Sequence, residues 1–201
     1  MNIWLLTEER PKISVLKMIL RRLCDDYQKE YLEKEPVKIT PIMDDGKFTF
    51  TYEVTGFQFE EVSKIFIKTV SGDSSFVDYL VFLQEAEPDQ NSTPIYAIEE
   101  TKTDDSESRN TGVYQRCSKF VYVNLFYPPV KKIMFYNLQV TQKKIPTQTS
   151  IFGTRMLRTI GVDIMGKRID NELMRPFSSA QELIISRILD IFTVDIFFRW
   201  K

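Results

Sequence analysis

The chain has 201 residues, 43% hydrophobic and 27% charged, enough to fill and cover the core of one ordinary domain. It contains no histidine, which excludes Ser-His-Asp and Cys-His catalysis, His-ligated zinc and any nuclease chemistry with a histidine base or nucleophile. Cys24 and Cys117 have no metal-ligand spacing and form no disulfide framework, no apolar run reads as a membrane span, and the N-terminus does not read as a signal peptide, so a cytoplasmic protein is expected.

Asn2–Leu6 reads as a short strand. Pro11 suits a first helical turn, and Ile13, Leu16, Leu20 and Leu23 recur at helical spacing, predicting a helix from about residue 11 to 27. Residues 37–57 alternate as two strands around Asp44-Asp45-Gly46, and Asp-Gly between strands is a hairpin signal. Lys64–Val70 is a further strand. Tyr79–Leu83 is apolar on both faces and reads as a central strand, and Ile95–Ile98 is a second short apolar run. The segment 103–112 is a loop. Val113–Phe126 is predicted to be a helix with Val113, Cys117, Phe120 and Val121 inward. Lys132–Leu138 returns to a strand, Gln139–Ser150 has no clear period, and Ser178–Phe192 is a helix capped by Ser178 or Ser179. The order predicts an α/β fold, a mixed central β-sheet flanked by helices, in one domain over 1–201. The abrupt end after an apolar stretch fits a fragment of a longer chain, with 139–201 partly a substrate-recognition or dimerisation region.

The net charge is −1, but it is unevenly spread. Residues 85–107 carry Glu85, Glu87, Asp89, Glu99, Glu100, Asp104, Asp105 and Glu107 against Lys102 alone. Residues 109–168 carry Arg109, Arg116, Lys119, Lys131, Lys132, Lys143, Lys144, Arg155, Arg158, Lys167 and Arg168 against Asp163 alone. An acidic strip beside a basic one suits a metal-dependent enzyme acting on a polyanion. Arg116 and Lys119 lie one helical turn apart, on a face expected to be opposite the apolar one, where they could grip phosphates.

Asp78 heads the apolar run Tyr79–Leu83, and the next run ends in Glu99-Glu100-Thr101-Lys102. Side chains alternate along a strand, so Glu100 and Lys102 share a face while Glu99 points away. If the two runs pair as a hairpin, Asp78 comes close to Glu100. Two carboxylates plus the Thr101 carbonyl make an oxygen site suited to Mg²⁺, with Lys102 beside it to orient a water. Asp45-Gly46-Lys47 offers a rival acid-x-Lys pattern, set aside because Asp-Gly there reads as a turn. Asp73, within a turn-like Gly72-Asp73-Ser74-Ser75, is a weaker first acid than Asp78.

With 21 residues between Asp78 and Glu100, this arrangement resembles the PD-(D/E)xK nuclease superfamily, and within it the type II restriction endonucleases. The likeness covers about residues 60–138 and extends to Glu107–Arg116, which is similar to the polar loop and basic helix that often follow the catalytic strand. Val77 stands where the family name has proline. The resemblance implies a restriction-endonuclease-like fold and Mg²⁺-dependent hydrolysis of double-stranded DNA, usually by a homodimer. It implies Asp78 and Glu100 as metal ligands with Thr101, Lys102 as the lysine that assists water, and Arg109, Asn110, Arg116 and Lys119 as DNA contacts. Two other readings stand beside it: a structure-specific repair nuclease of the same superfamily, and a non-catalytic nucleic-acid-binding subunit using residues 109–168.

Overall fold

A computed structural model describes residues 1–70, 77–103, 112–138, 146–170 and 172–186. The chain forms two compact units, Met1–Ile98 with Tyr127–Val130, and Glu99–Phe126 with Lys131–Lys201.

The first unit contains β1 (Asn2–Thr7), α1 (Ile13–Tyr27), β2 (Tyr31–Asp44), β3 (Lys47–Phe59), β4 (Lys64–Thr69), β5 (Tyr79–Gln84) and the first half of β6 (Tyr96–Thr101). Its strands lie in the order β2-β3-β4-β1-β5-β6. β1 runs parallel to β4, and the other pairings are antiparallel, so the sheet is mixed. β1 sits between β4 and β5, and Ile3, Leu5, Ile65, Ile67 and Val81 are almost fully buried. A strand covered on both faces must be apolar nearly throughout, which is why these short runs were legible. α1 turns Val15, Leu16, Ile19, Leu20, Leu23 and Cys24 inward and ends at Gln28 in the left-handed conformation. Pro11 lies before the helix, whose N-cap is Lys12.

The β2–β3 hairpin is longer than its sequence signal, because β2 begins at Tyr31. Asp44 pairs with Lys47, and Asp45 and Gly46 both have positive φ, as a two-residue type I′ turn requires. Asp45-Gly46-Lys47 is therefore a turn, as expected. Further along, the register shifts between Glu33 and Lys38, opposite Gly56 at φ +97°. A Cβ at Gly56 would stand 2.8 Å from the Val37 Cα, so the bulge needs glycine.

The second unit contains the end of β6, α2 (Gly112–Phe126), β7 (Lys131–Tyr136), α3 (Gln148–Thr159) and β8 (Val162–Met165). β7 and β8 pair in parallel, with α3 between them in sequence, which makes a βαβ unit. Cys117 and Phe120 of α2, Met134 and Tyr136 of β7, Leu157 of α3 and Val162 of β8 close one apolar core. The described residues are thus α/β, with mixed sheet strands flanked by helices.

α3 and β8 had no clear sequence signal. The buried face of α3 is Ser150, Phe152, Gly153, Thr154 and Leu157, so polar and small residues occupy positions where apolar periodicity would show. Lys167 is buried there and donates to Ser150 Oγ at 2.7 Å, with its ammonium 4.6 Å from the Tyr136 ring centre.

The helix expected from Ser178 opens with Ser179 as its cap, whose Oγ accepts from the Glu182 N–H at 3.0 Å. The helix is described over 180–186, and the rest of the expected span lies outside the described residues. Glu182 accepts from the backbone N–H and hydroxyl of Ser178 and pairs with Arg155 and Arg175. Bonds from Ser178, then the Arg155 guanidinium, hold its carboxyl at about 2, well below the ordinary 4.5. A depressed carboxyl stabilises the fold above its unfolded value and loses that contribution as pH falls through its folded one. The expected result is that this anchor holds at pH 5 and weakens from about pH 4.5 toward 2. An NMR titration of the Glu182 carboxyl carbon checks it, and a midpoint near 4.5 would contradict the bonding.

Candidate active site

β5 and β6 are neighbouring antiparallel strands in register Tyr79↔Ile98, Leu80↔Ala97 and Val81↔Tyr96. The two apolar runs thus pair as a hairpin, as the sequence suggested. Val77 and Asp78 form a bend just before β5, with Val77 buried and Asp78 half-buried. Asp78 precedes the first paired residue of β5, Tyr79, so it lies outside the strand's register. Asp78 belongs to the first unit, and Glu100, Thr101 and Lys102 to the second.

The end of β6 divides its side chains by parity. Glu99 is only 6% exposed, and its Oε1 accepts from Lys119 Nζ at 2.7 Å. Thr101 is also buried, and its Oγ1 accepts from Arg116 Nη2 at 3.0 Å. Both partners come from α2. Glu100, between Glu99 and Thr101, is half-buried, and Lys102, in the bend just past the strand, is exposed. Asn137, the residue after β7, donates its side-chain amide to Glu100 Oε1 at 2.7 Å. Its backbone N–H donates to the Thr101 carbonyl, also at 2.7 Å.

Cys117 and Phe120 of α2 are buried as expected, but these contacts correct the expected placement of Arg116 and Lys119. Arg116 and Lys119 were placed opposite the apolar face, but they share the inward side with the fully buried Phe120 and Val123. Val121, expected inward, is 52% exposed, and Tyr122, Leu125 and Phe126 are exposed with it. The reason lies in the helical angle: Arg116, Lys119, Phe120 and Val123 follow a three-and-four spacing that excludes Val121. The buried carboxylate of Glu99 then favours a cation on that side, because a buried charge without a partner is costly. The side chain of Val113 lies outside the described residues.

Other cations of the basic segment are also committed within the protein. Lys132 is buried and donates to Asn124 Oδ1 at 2.8 Å, and burial lowers its pKa. Arg158 donates to the Met174 carbonyl at 2.8 Å, while Arg155 lies 3.9 Å from the Phe177 ring centre and bonds Glu182. Lys131 pairs with Asp163 at 3.6 Å. Arg109, Asn110, Lys143 and Lys144 lie outside the described residues, as does Asp73.

Asp78, Glu100 and the Thr101 carbonyl are each donors of the kind a hard divalent cation takes. Carboxylates and a carbonyl are oxygen donors, and Mg²⁺ is commonly held by one or two carboxylates with the remaining positions left to water and substrate phosphate. Among the described residues no three His, Cys, Asp or Glu side chains cluster as a cage, which Mg²⁺ held this way does not require. The Thr101 carbonyl has two lone pairs, one of which accepts from Asn137.

Glu99 and Asn137 are the residues that reading the sequence missed. Strand parity put Glu99 on the far face, and an acid buried there should have called for a cation on the following helix. Asn137 gave no signal, because its role depends on which strand lies beside β6. Among the described residues no helix is long and apolar enough to cross a membrane. Compared with protein-family models, with curated proteins and with solved structures, the chain finds no match.

Proposed function

We propose that the chain is a Mg²⁺-dependent endonuclease that hydrolyses phosphodiester bonds in double-stranded DNA, most like a type II restriction enzyme and acting as a homodimer. The observation that carries this reading is the division of labour at the end of β6. Glu99 and Thr101 tie the strand to α2, while Glu100, of the other parity, is held by Asn137, and Lys102 follows in an exposed bend just past the strand. An acid fixed at a strand end, with a lysine two residues on, suits metal-assisted hydrolysis.

In this reading Asp78 and Glu100 hold Mg²⁺ with the Thr101 carbonyl. When bound, the ion supplies charge neutralisation at the phosphate and a lowered pKa for water. Lys102 orients the attacking water and offsets negative charge developing on the phosphate oxygens. Asp78 stands in the bend just before β5 and is half-buried. The binding-only alternative gains little support, since Arg116, Lys119, Lys132 and Arg158 are engaged within the protein. Arg109 and Asn110 remain the proposed DNA contacts, while Arg116 and Lys119, expected to share that role, serve within the protein.

The test is incubation with long duplex DNA, with and without Mg²⁺. Discrete fragments bearing 5′-phosphates, formed only with Mg²⁺, are expected. A smear would point to a non-specific or repair nuclease. DNA bound but intact would overturn the catalytic reading in favour of the binding subunit.

A further inference from the structure

We propose that Asn137 is a positioning residue for the Glu100 carboxylate; this rests on reading Glu100 as a metal ligand. One residue makes two bonds of 2.7 Å to consecutive positions at the strand end, through its backbone N–H to the Thr101 carbonyl and its amide to Glu100 Oε1. The backbone bond sets where the chain leaving β7 stands beside β6. From that fixed point the short side chain reaches the carboxylate.

A glutamate has three side-chain torsions, and ordering them costs entropy that the ligand site would otherwise supply on binding. Asn137 orders one carboxylate oxygen beforehand. The amide stays neutral at every pH at which the protein folds, so it donates without adding charge. Aspartate at this position would set a second acceptor against the carboxylate, and an aliphatic residue would leave Oε1 without this bond. Neighbours that orient a ligand in this way typically contribute ten- to a hundredfold in metal affinity, roughly.

The experiment is Mg²⁺ titration calorimetry on the full chain without DNA, comparing wild type, Glu100→Gln, Asn137→Leu and Asn137→Ser. Leucine keeps the branched side-chain shape and the backbone bond. Serine keeps the backbone bond with a hydroxyl too short to reach Glu100, and it covers the case in which the leucine variant fails to fold. Wild type should bind Mg²⁺, Glu100→Gln should lose that binding, and both Asn137 variants should bind about tenfold more weakly with stoichiometry unchanged. A purely structural role would reduce the fraction of competent protein, and hence the stoichiometry, while the affinity of the remainder stayed at wild type. That result, with Glu100→Gln still defective, overturns the role of Asn137 and leaves the metal reading standing. Equal titrations for wild type and Glu100→Gln overturn the metal reading, and the inference with it.

Discussion

Glu100→Gln should lower Mg²⁺-dependent DNA cleavage by about three orders of magnitude, with little change in stability. The substitution keeps the side-chain shape and leaves an amide oxygen that can still accept from Asn137, so the end of β6 stays in place. What is lost is the negative charge that would hold a divalent cation. Stabilisation of charge by such an ion amounts to several kcal/mol, and about 4 kcal/mol corresponds to a factor of a thousand. Lys102→Ala should cost about 10²- to 10⁴-fold, the usual range for a group that assists proton transfer. Lys102 is exposed, so its removal carries no packing penalty and DNA binding should survive. Single-turnover cleavage with supercoiled plasmid, alongside binding measured with Ca²⁺ in place of Mg²⁺, separates the two effects. Near-wild-type cleavage by either variant would contradict the assignment.

Lys119→Ala should destabilise the fold by about 3 kcal/mol, because it leaves Glu99 charged and buried without its cation. The side chain of Glu99 is 9% exposed against 35% for Lys119, so the two halves of the pair are unequal. Glu99→Gln leaves a lysine that can turn toward water, and should cost only about 1 kcal/mol. Joint replacement by Glu99→Leu and Lys119→Met should recover much of the Lys119→Ala loss, since no buried charge remains. Urea unfolding at neutral pH measures all of these. If Lys119 acted mainly on DNA, Lys119→Ala would change stability by less than about 0.5 kcal/mol, as exposed substitutions do. It would then lower the log–log salt slope of DNA binding by about 0.9, one lost phosphate contact.

The contrast between these residues shows what the sequence could carry. Strands covered on both faces announce themselves, because nearly every residue must be apolar, as in Tyr79–Leu83. The hairpin at Asp45-Gly46 was legible because two positive φ angles restrict the residues that fit. The faces of α2 were legible only in part. Cys117 and Phe120 are buried as expected, but Val121 is exposed with Tyr122, Leu125 and Phe126, and Arg116 and Lys119 bond toward β6, which a rule that turns only apolar residues inward misses. The partner that reverses the rule, Glu99, lies on a different element. α3 was hidden for a related reason: Ser150 and Thr154 are buried, with Lys167 bonded to Ser150.

At the candidate site, local spacing marked Glu100 and Lys102 as candidates, and strand parity separated Glu100 from Glu99, which bond Asn137 and Lys119 respectively. It could not identify Asn137, because adjacency of β6 and β7 is a tertiary fact. The charge count along 109–168 was accurate as arithmetic. Its reading as a surface was weaker, because Lys132 and Lys167 are buried and Arg116, Lys119 and Arg158 bond within the protein.

The proposed site rests on Asp78 and Glu100 acting on one ion. Crystals of the full chain soaked with Mn²⁺, which scatters anomalously and accepts the same oxygen donors, test this most directly. The expected result is an anomalous peak bound by both carboxylates and the Thr101 carbonyl, lost in crystals of Glu100→Gln. A Mn²⁺ ion held away from Asp78 and Glu100, or bound equally well by Glu100→Gln, would contradict it.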